Sequence, residues 1–123
     1  MDARRTLAIA GALIALATAF GAFGAHALKA HLPADRLQVY ETAVRYHFLH
    51  SLGLLAIGIL LRSMDGELLR WSAILVLTGV ILFSGSLYLL TFGAPRFLGV
   101  ITPVGGLALI AGWSLFAITV SRQ

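Results

Sequence analysis

The chain contains no cysteine, and its 123 residues include only three prolines and five acidic residues. Without cysteine it has no disulfide, thiolate metal site, iron–sulfur ligation or cysteine nucleophile. Charged residues make up 11% of the sequence, against roughly a quarter in soluble domains. Hydrophobic residues reach 59% and the mean hydropathy is +0.94, which excludes an ordinary water-soluble globule. Nine Lys plus Arg leave a formal charge of +4. In so apolar a chain that excess belongs to membrane-flanking loops, so no nucleic-acid partner is expected. Also missing are a phosphate loop, a dinucleotide fingerprint, a zincin helix and a Gly-x-Ser-x-Gly elbow. Phe83-Ser84-Gly85-Ser86 does not supply the elbow.

What is there is a set of long runs without charge: Thr6 to Ala25, Ser51 to Leu61, Trp71 to Pro95 and Phe97 to Ser121. A spanning helix needs ~20 residues, which leaves about 40 for connections and no room for a second domain. The expected fold is an all-α integral membrane protein. It is a four-helix transmembrane bundle, one domain over residues 1–123 with spans at about 6–27, 44–62, 71–92 and 98–120. Arg4 and Arg5 ahead of an apolar run, and Ala25-His26-Ala27 after it, have the outline of a cleaved signal peptide. The run exceeds the roughly 7–15 residues usual for such a segment, so it reads as a span.

Helix 1 carries two stripes of small residues, Gly11, Ala15 and Ala19 on one and Ala17, Gly21 and Ala25 on the other. Such stripes let backbones approach closely. Helix 2 is predicted from about Pro33 to Leu61, a length of ~45 Å against a hydrocarbon core of ~30 Å, so its first part lies in the interface. There Leu37, Tyr40, Val44 and Phe48 form an apolar stripe beside Arg36, Glu41 and Arg45. Helix 3 opens on the interfacial Trp71. Helix 4 begins either at Thr102 as N-cap with Pro103 as its first residue, or near Phe97 with a kink at Pro103. Arg4, Arg5, Arg62, Arg70 and Arg122 share the side of the termini, opposite Lys29, Arg36, Arg45 and Arg96. With Arg4 and Arg5 directly before the first span, both termini are expected in the cytoplasm.

Alternating spans bring the end of helix 1, the start of helix 2, the end of helix 3 and the start of helix 4 to one leaflet. His26, Glu41, Arg45, His47, His50, Tyr88, Thr91 and Thr102 converge there, while the other half is almost wholly apolar. Polar groups in hydrocarbon are costly unless paired, so the gathering marks a candidate ligand or proton site made of His26, Glu41, Arg45, His50, Tyr88 and Thr102. Glu41 and Arg45, four apart, are expected to pair and fix helix depth. His47 and His50, three apart, could contribute two metal ligands from one helix and His26 a third, but they come without a Cys or Glu-x-x-His partner. No metal or cofactor is therefore expected. A Ser84 nucleophile with His50 as base lacks an orienting acid.

The segments Gly21-Ala-Phe-Gly-Ala-His26, Tyr40-Glu-Thr-Ala-Val44, Tyr46-His-Phe-Leu-His50, Phe83-Ser-Gly-Ser-Leu-Tyr88, Ile101-Thr-Pro-Val-Gly-Gly106 and Gly112-Trp113 resemble the small bacterial membrane proteins of domain of unknown function 423. That family is similar to the eukaryotic transmembrane protein 256. The resemblance covers all four helices and implies a four-span inner-membrane protein, with helix 1 part of the mature fold and no established catalytic or binding residue. The family pattern often has an amide where His47 stands, which leaves His26 and His50 as the better candidates. The expected role is a non-enzymatic packing or assembly protein, or a subunit of a membrane complex. Its partners would be the lipid bilayer and either a second copy or another membrane protein. The competing expectation is a small homo-oligomeric transporter, channel or proton-coupled carrier built on the one-sided polar cluster.

Overall fold

The computed structural model describes all residues 1–123 and contains only helices. Four of them are long and apolar enough to cross a membrane: α1 (Ala3–Leu28), α2 (Ala34–Leu60), α3 (Glu67–Thr91) and α4 (Arg96–Ser121). Asp2 caps α1, its carboxylate accepting from the Arg5 backbone N–H at 2.8 Å. The helix then loosens into a π turn over Phe20–Gly24. There the Phe20 carbonyl accepts from the Ala25 backbone N–H and also from the Tyr40 hydroxyl at 2.6 Å. Pro33 precedes α2 as its cap and Asp35 lies in the first turn, where a negative charge suits the helix dipole. At 27 residues α2 is ~40 Å long, longer than the hydrocarbon core.

The chain leaves α3 through a Schellman turn. Gly93 takes a left-handed φ of 92°, its N–H bonding the Leu90 carbonyl while that of Ala94 reaches Leu89. A side chain at Gly93 would be strained in that conformation. A 3-10 turn over Arg96–Val100 follows, and the α-helical part of α4 begins at Ile101. Thr102 is therefore not the N-cap. Val100 holds that position without a side-chain bond, and the Thr102 hydroxyl reaches across to Ser86 at 2.5 Å instead. Pro103 falls in the first turn of the α-helical part, where a missing N–H costs least.

The helices pack in sequence, α1 on α2, α2 on α3 and α3 on α4, and α1 shares no close interface with α4. Ala10, Leu54, Ile57, Leu69, Ala73, Val76, Val80 and Leu109 form the core. The α3–α4 contact is the most extensive and depends on missing side chains. A Cβ on Gly105 would meet the Phe83 backbone, and one on Gly112 would lie 2.9 Å from Val76. Gly112 is thus used inside the chain, against α3. On α1 the stripes divide: Ala17 is buried and Gly21 faces Val44, whereas Gly11, Ala15 and Ala19 are exposed. Leu49, Ile59, Ile81, Leu107 and Ile110 are each more than half exposed, as lipid-facing positions should be.

Candidate functional site

Two polar centres hang from α2, one on each side of its contact with α3. Toward α1 and α3, His47 is buried and its Nδ1 lies 2.8 Å from the Tyr88 hydroxyl. Phe20 meets the Tyr88 ring edge-on with centroids 5.1 Å apart, and Tyr40 approaches Tyr88 at 5.7 Å. The Ser84 hydroxyl donates to the Ala43 carbonyl at 2.9 Å, and Ser51 donates to the His47 carbonyl at 2.6 Å. His47 Nε2 is buried without a hydrogen-bond partner. A cavity of about 210 Å³ adjoins this centre, lined by Leu13, Phe20, His47, Ser84 and Tyr88 among others.

Toward α4, the Trp113 indole N–H donates to His50 Nδ1 at 2.9 Å. The indole rests on α2 because residue 53 is glycine; a Cβ there would run into the ring. Tyr46 stacks on the His50 ring at 5.7 Å and 26°, and lies 4.6 Å from Phe83. Together these side chains line a recess of about 510 Å³. The bond from Trp113 fixes the imidazole tautomer. An indole N–H only donates, so Nδ1 must be the unprotonated acceptor, and in the neutral ring Nε2 then carries the hydrogen.

The six side chains expected to converge do not form one cluster. His26 is exposed near the end of α1, and Glu41 and Arg45 lie on the exposed side of α2 without pairing. Arg70–Asp65, at 3.2 Å, is the ion pair the chain does form. Glu41 and Arg45 are both on the outer side of α2, where a long side chain can carry its charge toward the interface instead of neutralising the other. His50 bonds Trp113, Tyr88 bonds His47 and Thr102 bonds Ser86. His47 and His50 thus address different helices, and no group of three or more His, Asp or Glu side chains is placed to hold a metal ion. Trp113, the partner of His50, went unrecognised as a site residue in the sequence because 63 positions separate the two. His47 had a local signal in Ser51, one turn further along the same face.

The terminus-side half has its own buried hydroxyls, each bonded to backbone. Ser72 donates to the Gly112 carbonyl at 2.8 Å, Thr6 to Asp2 at 2.7 Å and Thr119 to Leu115 at 2.8 Å. Of these only the Ser72 bond joins two helices, and four apolar helices faced outward with large aliphatic side chains define a multi-pass integral membrane protein. The chain belongs to the family described as Protein of unknown function (DUF423), which matches residues 20–106. It is 45% identical to the UPF0382 membrane protein SSP2132 of Staphylococcus saprophyticus, over 89% of this chain and 92% of that protein. It is 42% identical to the UPF0382 membrane protein YwdK of Bacillus subtilis, over 89% and 91% of the two chains. Identity to the UPF0382 inner membrane protein YgdD of Escherichia coli K12 is 35%, over 85% and 79%. No solved structure matches the chain.

Proposed function

We propose that this protein is a non-enzymatic assembly subunit of the bacterial inner membrane, with both termini cytoplasmic, that associates through the outer face of α1. The observation that carries this reading is the one-sided packing of α1. Among the spans its one extensive interface is with α2; it turns Gly11, Ala15 and Ala19 outward, and a Cβ on Gly11 would meet nothing within 4 Å. A helix whose small side chains face lipid offers a close-packing surface to a second transmembrane helix. The relative YgdD is named an inner membrane protein, and Arg4, Arg62 and Arg70 around one recess at the terminal face agree with a cytoplasmic side.

A carrier is the less favoured reading. Its path would have to cross the terminus-side half, where Thr6, Ser72 and Thr119 are each bonded to backbone. Mass measurement in mild detergent tests the assembly. The wild type should run above the monomer mass, and Gly11→Leu with Ala15→Leu should reduce it to monomer or release a partner. A monomeric wild type, or a variant of unchanged mass, would overturn the reading. Cysteines placed beside Arg5 and Arg122 should both be labelled from the cytoplasmic side; labelling from opposite sides would exclude the topology.

A further inference from the structure

The recess between α2 and α4 contains a hydrogen-bond donor with no acceptor. His50 is partly exposed, its Nδ1 is occupied by the Trp113 N–H, and its Nε2–H has no partner within the chain. The depth of that donor narrows what can meet it. Along α2, His50 lies twelve residues from Arg62 and five from Arg45, which at 1.5 Å per residue is ~18 Å from one charged level and ~8 Å from the other. This places the ring within the span, below the level of Arg45, where an unpaired N–H is costly.

The walls narrow it further. Tyr46 and Phe83 stand 4.6 Å apart on one side, the Trp113 indole lies 6.2 Å from the imidazole at 34° on the other, and Gly106 leaves space between them. Tyr46 and Ser114 are exposed at the rim, so the recess opens toward lipid. Its volume of about 510 Å³ falls in the usual range for a small-molecule site. An occupant must therefore dissolve in the bilayer, present a flat face to aromatic rings and carry an acceptor oxygen.

We infer that the recess is a binding site for the head group of a bilayer-soluble carbonyl compound of the quinone class, whose oxygen accepts from His50 Nε2–H with the Tyr46 hydroxyl as a second donor at the rim. Binding alone is assigned; no electron transfer is part of the inference. It is independent of the assembly role, because the recess lies between α2 and α4 while the proposed association face is on α1.

The chain has two tryptophans, so Trp71→Phe leaves Trp113 as the sole reporter in the recess. In nanodiscs of phosphatidylethanolamine and phosphatidylglycerol, a decyl-substituted benzoquinone should quench Trp113 emission with saturation, whereas decylbenzene, which has the tail but no carbonyl, should not. His50→Phe on the same background should weaken the saturable component about tenfold, the order set by one hydrogen bond in an apolar site. Tyr46→Phe should weaken it less. In the wild-type protein, with no substitution to disturb folding, the same quinone should move the ¹⁵N signal of His50 Nε2 and leave that of His47 unmoved. Quenching that rises linearly with quinone, equal binding in His50→Phe, or a static His50 Nε2 signal would each overturn the inference.

Discussion

His47 and His50 are three residues apart on one helix, their directions differing by about 60°, yet they occupy opposite kinds of surroundings. His47 is 3% exposed and its Nδ1 pairs with a phenol that is itself boxed in by Phe20 and Tyr40. His50 is partly exposed beside a recess and accepts from an indole. The first is an internal tie between α2 and α3. The second is held in one tautomer with its donor turned toward the space where lipid or ligand can lie. In a helical bundle a small rotation along one helix changes which neighbour a side chain meets, and the neighbour decides whether an imidazole packs or binds.

The comparison is broken most directly by truncation. His47→Ala should lower stability by ~3 kcal/mol, because it opens a cavity among packed rings and strands the Tyr88 hydroxyl. His50→Ala should cost no more than about 1 kcal/mol, since its ring is already partly exposed. Equal losses in denaturant titrations of the two variants would erase the distinction. A finer test is a pair of double-mutant cycles. His47→Ala with Tyr88→Phe should show a coupling of about 1–2 kcal/mol, and His50→Ala with Trp113→Phe about 0.5 kcal/mol. A larger coupling in the second pair would reverse the assignment of tie and site.

Gly53→Ala acts on one centre only. The added Cβ displaces the Trp113 ring, so tryptophan emission should change and stability fall by about 1 kcal/mol, with the His47 signals unaltered. The smallest effects belong to Glu41→Ala and Arg45→Ala. Without an ion pair between them, each should stay within about 0.5 kcal/mol and the two should add. Strong non-additivity would restore the pairing that their spacing suggests.

These effects also separate what was legible in the sequence from what was not. Four charge-free runs carried the spans, and Pro33 the start of α2, because span length and proline's preference for a helix start are local properties. The polar residues were legible as a gathering at one leaflet but not as contacts. Spacing four apart put Glu41 beside Arg45 and said nothing of the interface that both can reach. The two small-residue stripes of α1 read alike, yet Gly21 faces Val44 and Gly11 open surface. Thr102 read as a cap because Pro103 follows it, or else as part of a helix begun near Phe97; the 3-10 turn from Arg96 puts the start near the second position and leaves the Thr102 hydroxyl for Ser86. In each case the deciding partner was a residue on another helix.

The most direct test of the contrast between the two histidines is ¹⁵N spectroscopy of the histidine side chains in nanodiscs at neutral pH. His50 should show an unprotonated Nδ1 that accepts a hydrogen bond from Trp113 Nε1–H, with its hydrogen on Nε2, and Trp113→Phe should alter the His50 signals while leaving those of His47 in place. A hydrogen on His50 Nδ1, or a His50 spectrum indifferent to Trp113→Phe, would contradict the account.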